Sequence, residues 1–327
     1  MTINHIKKKA DQATTECESI FTETLSEFMT RMGARDQTTT EYESIITPLN
    51  SKYTFEHFVI GDSNRLAYEA AKATADNPAN VYNPLFIYGD VAQGTTHLLN
   101  AIGHSILKSS PELLVCYCSA EKFMLNLVDH LRSKDMDTFR KLHRDVDVFL
   151  IDEIDFLSGK TGTQEELINT IKALYEAKKQ IVIGARMHPN KIQDFDKGLR
   201  LLFLWGLTAE IKTPDLKTKL YIIQKKVEAM GISIPSDVIS FLAAIKRRNI
   251  RELEGMLILL EAFSRIQNIA ITLDMAKEKL RDIISYPDMK IKKAFIRCRR
   301  RSRKISRYFH FYDLNPPKRR SRGLCDN

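Results

Sequence analysis

Residues 85–97 constrain this chain more than any other stretch. The apolar run Leu85-Phe-Ile-Tyr88 stops at Gly89, Gly94 follows, and a helical pattern opens at Thr95 and continues through Ile106. A strand, a glycine-bounded loop and a helix in direct succession begin a βαβ crossover, which commits the neighbourhood to a parallel sheet. The run also fits the phosphate-loop pattern G-x-x-x-x-G-K-[ST] except that Thr95 stands where the lysine belongs. Glycines in such a loop let backbone N–H groups converge on phosphate oxygens beside the positive end of the helix. An ordinary strand-to-helix turn satisfies the spacing equally well, so the loop alone does not fix a function.

The rest of the central region repeats the same rhythm. Leu113–Cys118, Val146–Ile151 and Ile181–Ala185 read as further strands, and Ala120–Leu131 and Gln164–Ala177 as helices between them. The third strand is continuously apolar, as a parallel strand covered on both faces should be. The alternation predicts an α/β fold with a parallel sheet. After Pro214 only helical spacing remains, over Asp215–Met230, Ser236–Lys246, Ile250–Ile266 and Leu273–Ile284, which predicts a helical lid. A short helix is expected at Ile20–Met32, followed by a linker.

A second motif lies on the third strand. Val148-Phe-Leu-Ile151 ends in Asp152-Glu153, the form of a Walker-B strand. The Asp would hold Mg²⁺ and the Glu would orient or deprotonate an attacking water. Buried strands often end in acids where they meet solvent, so this motif is also weak alone. The two together point to a nucleotide-binding fold.

Charge is unevenly placed. The chain carries a net +9, yet Met289 to Asn327 holds 14 Lys+Arg against Asp313 and Asp326, which leaves the preceding residues mildly acidic. A basic arm of this kind suits nucleic acid or an anionic surface, although a solvated tail with no dedicated partner has the same composition. Five cysteines lack the spacing of a disulfide framework, and Cys116 and Cys118 alternate along a strand as buried thiols of a reducing compartment would. No apolar run reaches the ~18 residues of a membrane span, and the polar start from Met1 to Lys9 is unlike a signal peptide. The expectation is a cytoplasmic protein.

A longer set of segments resembles the DnaA family, bacterial chromosomal replication initiators of the AAA+ superfamily. They include Leu49-Asn-Ser-Lys-Tyr-Thr-Phe55, Tyr82-Asn-Pro-Leu-Phe-Ile-Tyr-Gly89, Ser119-Ala-Glu-Lys-Phe123 and Asp147-Val-Phe-Leu-Ile-Asp-Glu153. Thr163-Gln-Glu-Glu166, Gln180-Ile-Val-Ile183, Trp205-Gly-Leu207, Thr213-Pro-Asp-Leu216 and Asn249-Ile-Arg-Glu-Leu-Glu-Gly255 continue the series. The resemblance runs from about residue 48 to 285. It implies an AAA+ nucleotide-binding domain over 49–212 and a lid over 213–286, while residues 1–48, read from their own spacing as a helix and linker, show no recognisable match to the family. Residues 287–327 would be the basic remnant of a DNA-binding domain.

On that resemblance Gly89, Gly94, Thr95, Thr96, His97, Asp152 and Arg251 would surround ATP or ADP. Thr96 and Asp152 would serve Mg²⁺, and Glu153 would be the catalytic carboxylate. Arg251 would be the sensor-2 arginine; its alternative is an ion pair with Glu252 or Glu254 on its own helix. Phe58–Gly61 and Asn64 would line the adenine. Lys318, Arg319, Arg320 and Arg322 would meet DNA phosphates or a minor groove. With the chain ending at Asn327, no recognition helix is expected to read base edges. Partners implied are origin-type DNA, another copy, a full-length initiator or a replicative helicase, with acidic phospholipid as a further candidate.

Three departures qualify the resemblance. Thr95 replaces the phosphate lysine, Arg186 stands at the sensor-1 aspartate, and Leu202 and Gly198 stand at two arginines, of which the family's second is the finger offered to a neighbour's ATP. An arginine finger is worth about 10³–10⁵ in rate, so hydrolysis is not expected. Two readings follow: an initiator-type protein that binds nucleotide weakly and DNA by charge, or a nucleotide-impaired module that regulates a full-length initiator or a helicase. A degenerate paralogue would look the same.

Overall fold

The computed structural model describes residues 47–245 and 249–285. The expected helix at Ile20–Met32 and the basic arm with Lys318, Arg319, Arg320 and Arg322 lie outside the described residues. In chain order the elements are α1 (Arg65–Asp76), β1 (Leu85–Gly89), α2 (Thr95–Ser109), β2 (Val115–Ser119), α3 (Ala120–Ser133), α4 (Met136–Arg144) and β3 (Val148–Asp152). There follow α5 (Thr161–Glu176), β4 (Gln180–Ala185), α6 (Lys197–Leu204), β5 (Leu207–Ile211), α7 (Leu216–Met230), α8 (Ser236–Ala244), α9 (Ile250–Gln267) and α10 (Leu273–Ser285). Described residues up to Leu273 form one compact unit, and α10 from Asp274 belongs to another.

The five strands form one sheet in the order β2-β3-β4-β1-β5, and every neighbouring pair is parallel. Alternate residues of β1, β2, β3 and β4 feed two separate cores. Phe86, Cys116, Cys118, Phe149, Ile151, Ile181 and Ile183 meet α3, α4, α5 and α6 on one face. Leu85, Ile87, Val148, Leu150 and Val182 meet α1 and α2 on the other. Cys116 and Cys118 are fully buried thiols in the first core. Burial on both faces explains the unbroken apolar run of β3.

The sheet has one strand more than the sequence suggests. β5 reads Leu-Thr-Ala-Glu-Ile and occupies an edge, with Glu210 exposed and Ala209 and Ile211 buried. Its entry needs a glycine, because a Cβ at Gly206 would overlap the Pro84 carbonyl. The expected start of β3 moves from Val146 to Val148. Asp147 ties that start down, accepting from the Leu114 N–H at 2.9 Å and the Lys179 ammonium at 2.7 Å.

Helix starts follow capping chemistry. Ser119, Asp135, Asp196, Asp215 and Asn249 each accept a backbone N–H from the first turn that follows them. Gly231 and Asn268, both left-handed, end α7 and α9. After α6 the described chain up to Leu273 contains one strand, β5, and then helices alone, as the spacing after Pro214 predicts. Among the described residues no helix is long and apolar enough to cross a membrane.

Candidate functional site

β1 is an interior strand, paired with β4 on one side and β5 on the other. The loop 90–94 therefore leaves the sheet at the carboxyl ends of its central strands, where ligands of open α/β sheets bind. Two of its residues are left-handed, Ala92 at φ 60° and Gly94 at φ 116°. A side chain at Gly94 would be strained and would also press on the Phe58 ring, 2.9 Å from where its Cβ would lie. A Cβ at Gly89 would meet the Ile211 carbonyl oxygen at 2.8 Å. Gly89 is required by a close backbone approach, and Gly94 by its left-handed conformation and the Phe58 ring beside it.

α2 begins at Thr95, and the first backbone bond across its entry is the Leu98 N–H to the Gly94 carbonyl at 3.0 Å. The amides of Thr95, Thr96 and His97 have no carbonyl one turn below them. They form an amide-lined helix end with no acidic residue in its first turn.

Thr96 and Asp152 meet directly. The Thr96 hydroxyl donates to Asp152 Oδ2 at 2.6 Å, and the Glu153 N–H donates to Asp152 Oδ1 at 2.8 Å. The Tyr117 hydroxyl stands 3.5 Å from the same Oδ2. Asp152 is buried, and that burial pushes its carboxyl above its ordinary pKa despite the Thr96 and Glu153 hydrogen bonds. Beneath the pair Gly184 of β4 has no side chain; a Cβ there would overlap Asp152 Oδ1 and lie 3.1 Å from the Thr95 methyl. Thr95 is itself buried, its hydroxyl without a hydrogen-bond partner, as is Gln93 Oε1.

His97 faces away from this group. Its Nε2–H donates to the Thr54 carbonyl at 2.7 Å, its ring stacks on Tyr53 with centroids 5.0 Å apart, and Phe58 meets it edge-on at 5.1 Å. Burial lowers its pKa to about 4, so the ring is neutral. It pins the segment 53–58 to α2. The neighbouring segment is held by Asn64, which accepts from the Gly61 N–H at 2.8 Å and donates to the Val59 carbonyl at 3.0 Å. Gly61 lies so close to Thr218 of α7 that a Cβ would overlap it. The expected adenine wall thus joins the sheet domain to the first lid helix.

Glu153 is left-handed at φ 55° and half exposed, and it carries an ion pair to Arg186 at 3.7 Å. Arg186 also approaches Asp155 at 3.4 Å, while its backbone N–H donates to Asp155 Oδ1 at 2.9 Å. Arg251 is exposed on α9, and Glu254 pairs with Lys226 at 3.2 Å instead of with it. The structure brings Gly89, Gly94, Thr95, Thr96, Asp152 and Glu153 into one neighbourhood. Leu202 is part of the first core, only 3 % exposed, and Gly198 donates its N–H to the capping Asp196 at 2.7 Å.

Sequence reasoning passed over Tyr117, Gly184 and Asp155. Gly184 carried a signal, since a glycine inside a strand marks a close approach. Tyr117 and Asp155 gave none, because their contacts depend on where neighbouring strands lie.

The donor set fits a phosphate chain with its cation. The unpaired amides at the helix start suit phosphate oxygens. Among the described residues no group of three or more His, Cys, Asp or Glu could hold a metal ion alone. One hydroxyl and one carboxylate sharing a cation with phosphate oxygens is the usual arrangement for Mg²⁺.

Comparison with known proteins identifies the family. A family model described as the bacterial DnaA ATPase domain matches residues 49–210. The chromosomal replication initiator protein DnaA of Pelobacter propionicus is 58% identical over 236 residues, 72% of this chain and 52% of that protein. The chain thus spans about half the length of the curated relatives it matches. Domain III of the Thermotoga maritima replication initiation protein DnaA superposes with a TM-score of 0.71 at 40% identity, covering 73% of this chain and 100% of that one. A replication initiator DnaA bound to AMPPCP and single-stranded DNA has a TM-score of 0.62 at 36% identity, covering 73% of each chain.

Proposed function

This chain belongs to the DnaA family, and from that premise we propose that it binds ATP or ADP and DNA in the initiation or regulation of chromosome replication. The observation that carries the nucleotide half is the Thr96–Asp152 pair at 2.6 Å beside the unpaired amides of the α2 start. Thr96 and Asp152 would hold Mg²⁺, which when bound neutralises phosphate charge and orients the phosphate chain. The Thr95, Thr96 and His97 amides would take phosphate oxygens, with Gly89 and Gly94 permitting the approach. Phe58 and the segment 59–64 would close over the base. Arg251 would reach the phosphates from the lid.

The binding is proposed to be weak. A hydrogen bond to a charged group contributes about 1.5–3 kcal/mol, and Thr95 supplies none of the lysine's charge. Thr95→Lys should therefore tighten ATP binding about 10- to 150-fold. Equilibrium titration of both proteins with a fluorescent ATP analogue measures this. A Thr95→Lys protein that fails to bind at millimolar nucleotide would remove the proposal.

For DNA the proposed contacts are phosphate contacts by Lys318, Arg319, Arg320 and Arg322. Affinity for duplex DNA should then fall steeply between low and physiological salt, with a log–log slope near −0.9 per phosphate contacted. A flat salt dependence in a filter-binding or anisotropy titration would contradict it.

A second reading is favoured by one observation, the burial of Leu202 at the finger position. Such a chain offers a neighbour no arginine from that residue. It suits a module that docks on a full-length initiator or a helicase and binds nucleotide without hydrolysing it.

A further inference from the structure

Among the apolar side chains that α2 buries, Asn100 is a polar exception, only 1 % exposed. A buried amide is costly unless its groups find partners, and Asn100 finds them in three directions. Its Oδ1 accepts the Asn50 N–H at 2.8 Å, and its Nδ2 donates to the Thr96 carbonyl one turn back, also at 2.8 Å. The same amide hydrogen-bonds the Tyr117 hydroxyl of β2.

Two of those directions converge. The Thr96 hydroxyl donates to Asp152 Oδ2, and the Tyr117 hydroxyl stands 3.5 Å from that same oxygen. Asn100 therefore holds Thr96 directly and Asp152 through Tyr117. Groups that hold a metal ligand from behind orient its donor atoms, and losing one typically costs about 10- to 100-fold in metal affinity.

The third direction leads to the segment 47–58, which is laid like a strap along one face of α2. His97 donates to the Thr54 carbonyl, Asn100 accepts from Asn50, and His104 Nε2–H donates to the Asn50 carbonyl at 2.9 Å. Gly103 leaves room for Leu49, which a Cβ there would meet at 2.8 Å. Nearer its start, the Thr47 N–H donates to the Tyr117 carbonyl at 2.9 Å. Asn100 and Tyr117 thus each touch both the strap and the Thr96–Asp152 pair. What orders one orders the other, and by linkage the effect runs equally both ways.

We propose that Asn100 is a positioning residue that sets the Thr96 and Asp152 oxygens for Mg²⁺ and ties them to the strap 47–58, so that Mg²⁺–nucleotide binding and closure of the strap on α2 favour each other. This rests on the nucleotide reading above.

The test is a titration with ATP, once in excess Mg²⁺ and once in EDTA, of the full chain and its Asn100→Leu and Tyr117→Phe variants. Each is also made in the Thr95→Lys background, so that low affinity does not hide the effect. In Mg²⁺ the expected loss is about 10- to 100-fold for Asn100→Leu and roughly 2- to 10-fold for Tyr117→Phe. In EDTA both losses should stay under about 3-fold, because the α2 amides remain in place. Hydrogen exchange should show Mg²⁺ and ATP together protecting residues 49–55 in the wild type and not in Asn100→Leu. Tyr117→Phe, which keeps the ring, carries the test should Asn100→Leu not fold. Equal losses with and without Mg²⁺ mean a purely structural role and overturn the assignment, as does exchange at 49–55 that ignores the ligand. Undiminished Mg²⁺-dependent binding in Asn100→Leu overturns this proposal alone. No binding in either background overturns it together with the nucleotide reading.

Discussion

Lowering the pH from about 6.5 to 4 is expected to cost the folded protein about 3 kcal/mol through His143 alone. This histidine on α4 is fully buried among Phe123, Phe139 and Phe149. Its Nδ1–H donates to the Phe139 carbonyl at 2.9 Å, while its Nε2 has no partner. Burial lowers its pKa from 6.5 to about 4, with smaller repulsion from His130 and Arg144. In the unfolded chain the ring takes up its proton near pH 6.5, and in the folded chain only near 4. The contribution is therefore whole above 6.5, drains away as the pH falls through the window, and changes no further below 4. His97, also lowered to about 4, works in the same direction. Asp152 works against both, since its raised pKa lets the native state protonate first. Urea denaturation at pH 7.0, 5.5 and 4.5 should show a falling midpoint, and a His143→Leu protein a flatter profile. Equal slopes in the two proteins would contradict the assignment to His143.

The second large effect is at Leu202. Placing at position 202 the arginine that the resemblance implies would put a cation in an apolar core beside Phe203 and Leu199 on α6. An unpaired buried charge costs about 3–5 kcal/mol, comparable to the roughly 2–5 kcal/mol of emptying the site with Leu202→Ala. Leu202→Arg should therefore lower the melting temperature by about 6–20 °C for a unit of this size, at roughly 2–4 °C per kcal/mol. Calorimetry or a thermal melt followed by circular dichroism checks it. A stable Leu202→Arg protein would mean that α6 can turn this position to solvent.

How legible was this arrangement in the sequence? The α/β order and the helical lid were legible because large apolar residues recur at strand and helix periods. α1 was not, since its buried face is built from Ala67, Ala70, Ala71 and Ala75, which leave no contrast of large against small. α4 offers only Phe139, Leu142 and His143 to the core across nine residues. β5 is short, lies at an edge and alternates with Thr208 and Glu210, so it resembles a loop. At the site, the partners Thr96 and Asp152 were readable from motif spacing. The contacts of Arg186 were not, because they pass between β3 and β4 and no linear pattern encodes which residues face each other there. His97 illustrates a different limit: its place in the motif suggested a ligand contact, while the structure commits its ring to Tyr53, Phe58 and the Thr54 carbonyl.

Gly184 makes the two halves of this site unequal in what mutation can undo. The charge missing at position 95 is one side chain away, and the amides around it do not depend on that residue's identity. A methyl group added at position 184 would instead push Asp152 and Thr95 apart and scatter the floor on which both motifs rest. A single substitution at position 95 can restore the electrostatics on an intact floor, whereas no side chain at position 184 leaves that floor in place.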